Sequence, residues 1–154
     1  MPGDINAPTH TVKKVLPYSC EQLFDMVADI ERYPEFLSGW VEARIIEQTD
    51  NYLRVRQQLG LPLLSQSFIS TVELEWPSQL SIRSNDGPFQ NLLITWKFQP
   101  VESERCEVML DVKVTLRSRM LDRLAGVFRE KAASDVLTRF ESRAHVLYDM
   151  KRDI

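Results

Sequence analysis

The sequence predicts an α+β domain: a seven-stranded, curved antiparallel sheet around a long C-terminal helix, with two short helices after the first strand. Three observations lead there. Between Val41 and Leu116 apolar and polar residues alternate with a period of two, broken at intervals by turn residues, as in a sheet with one buried face. From Ser118 to Met150 the spacing changes to three and four, with no proline and one glycine, as in a single long helix. The composition, 44% hydrophobic and 27% charged over 154 residues, is that of a globular chain and excludes disordered, collagen-like and low-complexity classes.

Residues 1–8 read as an extended or disordered leader and residues 9–150 as one domain. Thr9 to Leu16 alternates, with Val12 and Leu16 on one side, and is a strand ended by Pro17. Ser19 and Gln22 have the spacing of a helix N-cap and its capping-box partner, and Leu23, Phe24, Val27 and Ile30 supply an apolar helical stripe. Pro34 predicts a break near Tyr33 and a second helical turn through Phe36, closed by Gly39. Six strands follow: Val41 to Gln48, Tyr52 to Leu59, Gln66 to Glu75, Leu80 to Ser84, Leu92 to Gln99 and Cys106 to Leu116. In the final helix Leu121, Leu124, Phe128, Ala132, Val136, Phe140, Ala144 and Leu147 form the stripe.

The larger apolar set of each strand points inward: Val41, Ala43 and Ile45; Leu53 and Val55; Phe68, Val72 and Leu74; Leu80 and Ile82; Leu92, Ile94, Trp96 and Phe98; Val108, Leu110, Val112 and Val114. The same alternation turns Gln57, Ser70 and Ser84 inward, where each needs a partner from backbone, water or a ligand. A strongly curved sheet and a helix across its mouth do not always close on each other, so a cavity of several hundred cubic ångströms is expected between them. The connection Leu59-Gly60-Leu61-Pro62-Leu63-Leu64 is unusually apolar for a loop. It is either a satellite core folded over the sheet or a hydrophobic lip that touches a bilayer or an entering ligand. Met120, Leu121, Leu124, Val127 and Phe128 cover much of the helix circumference and make that half of the helix the expected lid.

Several function classes drop out. No run of residues is long and apolar enough to span a membrane, and the N-terminus lacks the pattern of a signal or transit peptide, so a cytoplasmic protein is expected. Cys20 and Cys106 are far apart and read as reduced thiols. His10 and His145 read as lone surface histidines, and no metal cluster, phosphate loop or nucleophile motif is present, so no catalytic residue and no metal ligand is assigned. The net charge of -3 hides a division: residues 1–116 sum to -6 and residues 117–154 to +3. The basic segment is either a solvated helical face or one that meets phosphate; no DNA partner is expected.

Three segments, Tyr33-Pro34-Glu35-Phe36-Leu37, Asp86-Gly87-Pro88-Phe89 with Trp96-Lys97-Phe98, and Phe140-x-x-Arg143-Ala144-x-x-x-Tyr148, resemble in order and spacing the coenzyme Q-binding START-domain family of the polyketide cyclase superfamily. That family includes the ribosome association toxin RatA and chains labelled oligoketide cyclase, and the resemblance runs from about Thr9 to Tyr148. It implies a helix-grip fold around a cavity for ubiquinone or another polyisoprenoid quinone. The chain would then be a lipid chaperone supporting respiratory electron transport, with no cofactor beyond this lipid and with transient contact at the inner face of the membrane. Two alternatives come with the family: a RatA-like toxin that binds the large ribosomal subunit and blocks subunit association, and a polyketide aromatase or cyclase. The residues expected to line the cavity are Phe36, Trp40, Gln57, Phe68, Ser70, Val72, Ser84, Trp96, Leu110, Val112, Leu121, Leu124 and Phe128, with Leu61, Leu63, Leu64, Arg119 and Arg123 at the entrance or membrane contact. Ser38-Gly39-Trp40 stands where relatives often continue Pro-x-Cys, and Ile94-Thr95 where some have small glycines, so this cavity is expected to be smaller or differently shaped.

Overall fold

The computed structural model describes residues 9–62, 64–102, 104–125 and 129–149. The expected elements of Leu63, Phe128 and the leader 1–8 lie outside these residues. In chain order the elements are β1 (Thr9–Leu16), α1 (Cys20–Ala28), a 3-10 helix (Ile30–Glu35), β2 (Trp40–Gln48), β3 (Tyr52–Leu59), β4 (Ser67–Glu75), β5 (Gln79–Ser84), β6 (Phe89–Val101), β7 (Arg105–Leu116), α2 (Arg119–Ala125) and α3 (Arg129–Ala144). A π-helical turn, His145–Asp149, follows α3. The strands form one antiparallel sheet in the order β1-β7-β6-β5-β4-β3-β2, a meander with β1 added beside β7. One face of this sheet packs against α1 and α3, and the core lies between them.

The capping box at the start of α1 forms as the sequence implies: the Ser19 hydroxyl accepts from the Gln22 backbone N–H, and the Gln22 side chain accepts from the Ser19 backbone N–H. The break comes earlier than Tyr33. The proline ring collides with the carbonyl four residues before it in α geometry, which here is Ile30, so α1 stops at Ala28 and the chain tightens into the 3-10 helix with Pro34 inside.

Strand β2 departs from simple alternation. Its register against β3 shifts between Trp40 and Glu42 and again between Ile45 and Glu47. The first bulge leaves Trp40 on the inner side and turns Val41 out to 61% exposure, against the expected inward position. These bulges and the charged residues Glu42, Arg44 and Glu47 break up an edge that would otherwise invite another strand. The C-terminal segment expected as one helix is described as α2 and α3, with 126–128 outside the described residues. The buried stripe of α3 is Ala133, Leu137, Phe140 and Ala144, a rotation of one residue from the Ala132 and Val136 of the sequence pattern. Cys20 and Cys106 are free and buried, with Sγ atoms 2.8 Å apart. His145 is not alone on the surface: its Nδ1 meets the Tyr18 hydroxyl and lies 2.8 Å from Asp149 Oδ2.

Candidate functional site

Between the inner sheet face and α3 lies a cavity of about 270 Å³. Its sheet wall comes from alternate residues of neighbouring strands, including Gln57 and Leu59, Phe68, Ile82, Leu92, Ile94 and Trp96, and Leu110, Val112 and Val114. The 3-10 helix and its exit supply Tyr33 and Leu37, and α3 supplies Ala132, Ala133, Val136 and Phe140. Two alanines on the helix leave space that larger side chains would fill.

The wall is almost wholly apolar, and its few polar groups can be accounted for singly. The Tyr33 hydroxyl donates to the Val27 carbonyl at 2.5 Å, and burial, helped by Asp29, pushes its ionisation well above the ordinary tyrosine range. It is therefore a neutral, committed donor. Gln57 is 3% exposed, and its side chain has no hydrogen-bond partner among the described residues. Trp40 lines the same space, and its indole N–H is shut off from solvent and unpaired. Unpaired buried polar groups cost about 1 to 3 kcal/mol each.

The expected lining residues divide into two sets. Trp40, Gln57, Phe68, Trp96, Leu110 and Val112 share the cavity wall. Phe36, Ser70, Val72, Ser84, Leu121 and Leu124 are not on it. Phe36 packs edge-to-face on Phe140 at 5.0 Å, outside the hollow. Val72 is closed off by the core, and Ser70 is buried with its hydroxyl unpaired. Ser84 donates to the Ile69 carbonyl at 2.7 Å and accepts from the Asp86 N–H, so it shapes the β5–β6 turn. Leu121 packs into a second cluster around Leu59, Phe68 and Phe89, whereas Leu124 is 51% exposed.

Of the entrance residues, Leu61 and Leu64 fold back onto the cavity. They are held by the Leu64 N–H donating to the Leu61 carbonyl at 3.0 Å and by Gly60 donating to Gly39 at 2.9 Å. Gly39 sits at φ +91°, and a Cβ there would lie 2.3 Å from Leu61 Cδ2, so a glycine is required both by the backbone and by the close approach of the lip. Arg119 and Arg123 are exposed on α2 beside exposed Met120 and Leu124.

The segments that carry the family resemblance have a mechanical role around this site. Glu35 accepts from Arg143 at 2.8 Å, Arg143 lies over the Phe36 ring at 5.1 Å, and Tyr33, Phe36 and Trp96 all pack edge-on against Phe140. The Tyr148 hydroxyl donates to the Gln22 carbonyl at 2.7 Å. Together these contacts clasp the C-terminal helix onto the 3-10 helix, α1 and the sheet.

A larger hollow, about 660 Å³, lies on the outer sheet face and has a different character. It is an open trough along the cross-strand row Arg54, Thr71, Arg83, Leu93 and Lys113. Arg83 is 3.4 Å from Glu73, and Arg54 reaches Glu47 only at 4.0 Å. Among the described residues, no group of three or more His, Cys, Asp or Glu could hold a metal ion.

Comparison with known proteins decides the family. The family described as "Polyketide cyclase / dehydrase and lipid transport" matches residues 16–141. The chain belongs to that family. It is 29% identical to the "Ribosome association toxin RatA" of Escherichia coli K12, over 96% of this chain and 94% of that one. It is 26% identical to the "Coenzyme Q-binding protein COQ10 homolog B, mitochondrial" of Xenopus laevis, over 90% of this chain and 59% of that one. A START superfamily protein from Mycobacterium smegmatis superposes with a TM-score of 0.76 at 17% identity, over 90% of this chain and 98% of that one, which shows the helix-grip fold. In this family member the expected lining left out Tyr33 in the 3-10 helix, Leu37 just after it and Phe89 at the start of β6, where periodicity is short or only beginning, and the sequence pattern named Ala132 in the helical stripe but not Ala133.

Proposed function

We propose that the chain binds a hydrophobic small molecule, a polyisoprenoid quinone or a precursor of one, in the cavity under α3 and carries it to and from a membrane. The observation that carries this reading is the nearly all-apolar hollow with an unpaired indole N–H and a buried glutamine on its wall. Burial of one isoprene unit from water is worth on the order of 4 kcal/mol, so two or three units offset much of the association cost. A tail leaving a bilayer gains almost nothing from hydrophobicity, so selection rests on cavity shape and on polar contacts to the head. At about 270 Å³ the cavity has the volume of about nine water molecules. It suits a ring-sized head, with a long tail passing out by the lip of Leu61 and Leu64. Met120 and Leu124, exposed and one helical turn apart beside Arg119 and Arg123, suit contact with an anionic bilayer at that end. No helix among the described residues is long and apolar enough to cross a membrane. Mass spectrometry of organic extracts from the natively purified protein tests the reading: a stoichiometric quinone or related lipid is expected, and an empty extract contradicts it.

A second reading, association with the large ribosomal subunit, is supported by the RatA relatives matched nearly end to end and by the cationic outer trough. Its test is cosedimentation with ribosomes: phosphate contacts make it fall steeply with ionic strength, whereas binding of a neutral lipid hardly responds. A cyclase reading has less support, since the described cavity wall carries one titratable side chain, Tyr33, and its hydroxyl is committed to Val27.

A further inference from the structure

We infer that Trp40 and Gln57 form a polar station that selects, among apolar molecules of fitting size, those carrying a hydrogen-bond-accepting oxygen on the ring or chain that enters the cavity. The inference rests on the cavity-binding reading above and adds what the occupant must carry and which residues read it.

The two residues belong to adjacent strands. Trp40 pairs with Leu59, two residues after Gln57 on β3, and both side chains line the cavity, so the two border the same space. Trp40 is there because of the β2 bulge, which keeps its ring inward while Val41 turns out. The indole N–H is a donor only, so its missing partner has to be an acceptor. Gln57 offers both a donor and an acceptor and has no side-chain partner among the described residues, so it accommodates either a carbonyl or a hydroxyl. Of the other polar side chains on the described wall, Tyr33 donates to Val27, and the Trp96 ring is packed against Phe98 and edge-on against Phe140. A hydrocarbon in this space leaves both groups unpaired, whereas a molecule with an oxygen beside the indole pairs them without any change in the apolar contacts. Selection therefore comes from the unmet hydrogen bonds and not from greasiness, which all candidate occupants share.

The test uses a matched pair: duroquinone, a fully methylated benzoquinone, and durene, the same methylated ring without oxygens. Full-length protein is titrated with each, by calorimetry or fluorescence, in the wild type and in Trp40→Phe and Gln57→Met. The expected result is a loss of about tenfold in duroquinone affinity in each variant, with durene affinity changed less than twofold. In the ¹⁵N-labelled wild type, one indole N–H resonance, absent from Trp40→Phe, moves downfield with duroquinone and stays in place with durene. Equal effects of the substitutions on both ligands, or none on either, overturn the polar station while leaving cavity binding standing. Failure of both ligands to bind the wild type overturns the station and the cavity reading together.

Discussion

At Gln57 a carboxamide sits almost fully buried without a partner, and methionine keeps its length while removing the polar atoms. Gln57→Met is therefore expected to raise stability in chemical denaturation, opposite in direction to its expected effect on binding. Gly87 gives a contrasting case. It adopts φ +61°, and a Cβ there would meet the Ser67 carbonyl oxygen at 2.6 Å, a backbone atom that cannot swing away. Gly87→Ala should cost at least about 1 to 3 kcal/mol, read by the same measurement, and a neutral result would refute this account of the Asp-Gly-Pro turn. At Glu35, hydrogen bonds from Arg32 and then Arg143 hold the carboxyl below its ordinary range. A carboxylate lowered in the folded state adds stability at neutral pH and loses it as the pH falls through the folded-state value. Thermal unfolding of Glu35→Gln, followed from neutral pH into the acid range, should show a shallower loss than the wild type.

At the scale of elements, the clasp around Phe140 decides whether α3 stays over the sheet. Phe140→Ala removes a ring that meets Tyr33, Phe36 and Trp96 and borders the cavity, and is expected to cost about 3 to 5 kcal/mol. The three segments that carry the family resemblance meet at this ring, so the motif marks how the helix is fastened as well as one border of the cavity. The short α2 has a separate assignment: reversing Arg119 and Arg123 to Glu should abolish flotation with anionic vesicles and leave thermal stability nearly unchanged. Strands were largely readable from sequence because one face of each is buried, so the alternation of β3 through β7 registers directly in residue type. Two bulges in β2 were not readable: an inserted residue leaves composition unchanged while exchanging faces, and Val41, expected inward, turns out for that reason, while Trp40 lines the cavity as expected. Pro34 was visible, but its effect fell four residues upstream at Ile30, where its ring would meet the backbone.

For the whole molecule, sheet order and the helix across it follow from element order and short connections, whereas the cavity depends on a mismatch in volume that no single residue announces. Phe68, Trp96, Leu110 and Val112 were legible as wall residues because they alternate inward. Phe36, Val72 and Leu124 obey the same apolar patterns yet lie in the clasp, in closed core and on the surface, since periodicity gives a face but not a depth. The account stands on an apolar hollow that takes up one molecule per chain, and calorimetric titration of durene at several temperatures tests this most directly, comparing the wild type with the cavity-filling variant Ala133→Phe. One saturable site with a negative heat-capacity change, lost in a filled variant that keeps its circular dichroism spectrum, is the predicted result. Binding that fails to saturate in the wild type, or that survives unchanged in the folded variant, would contradict it.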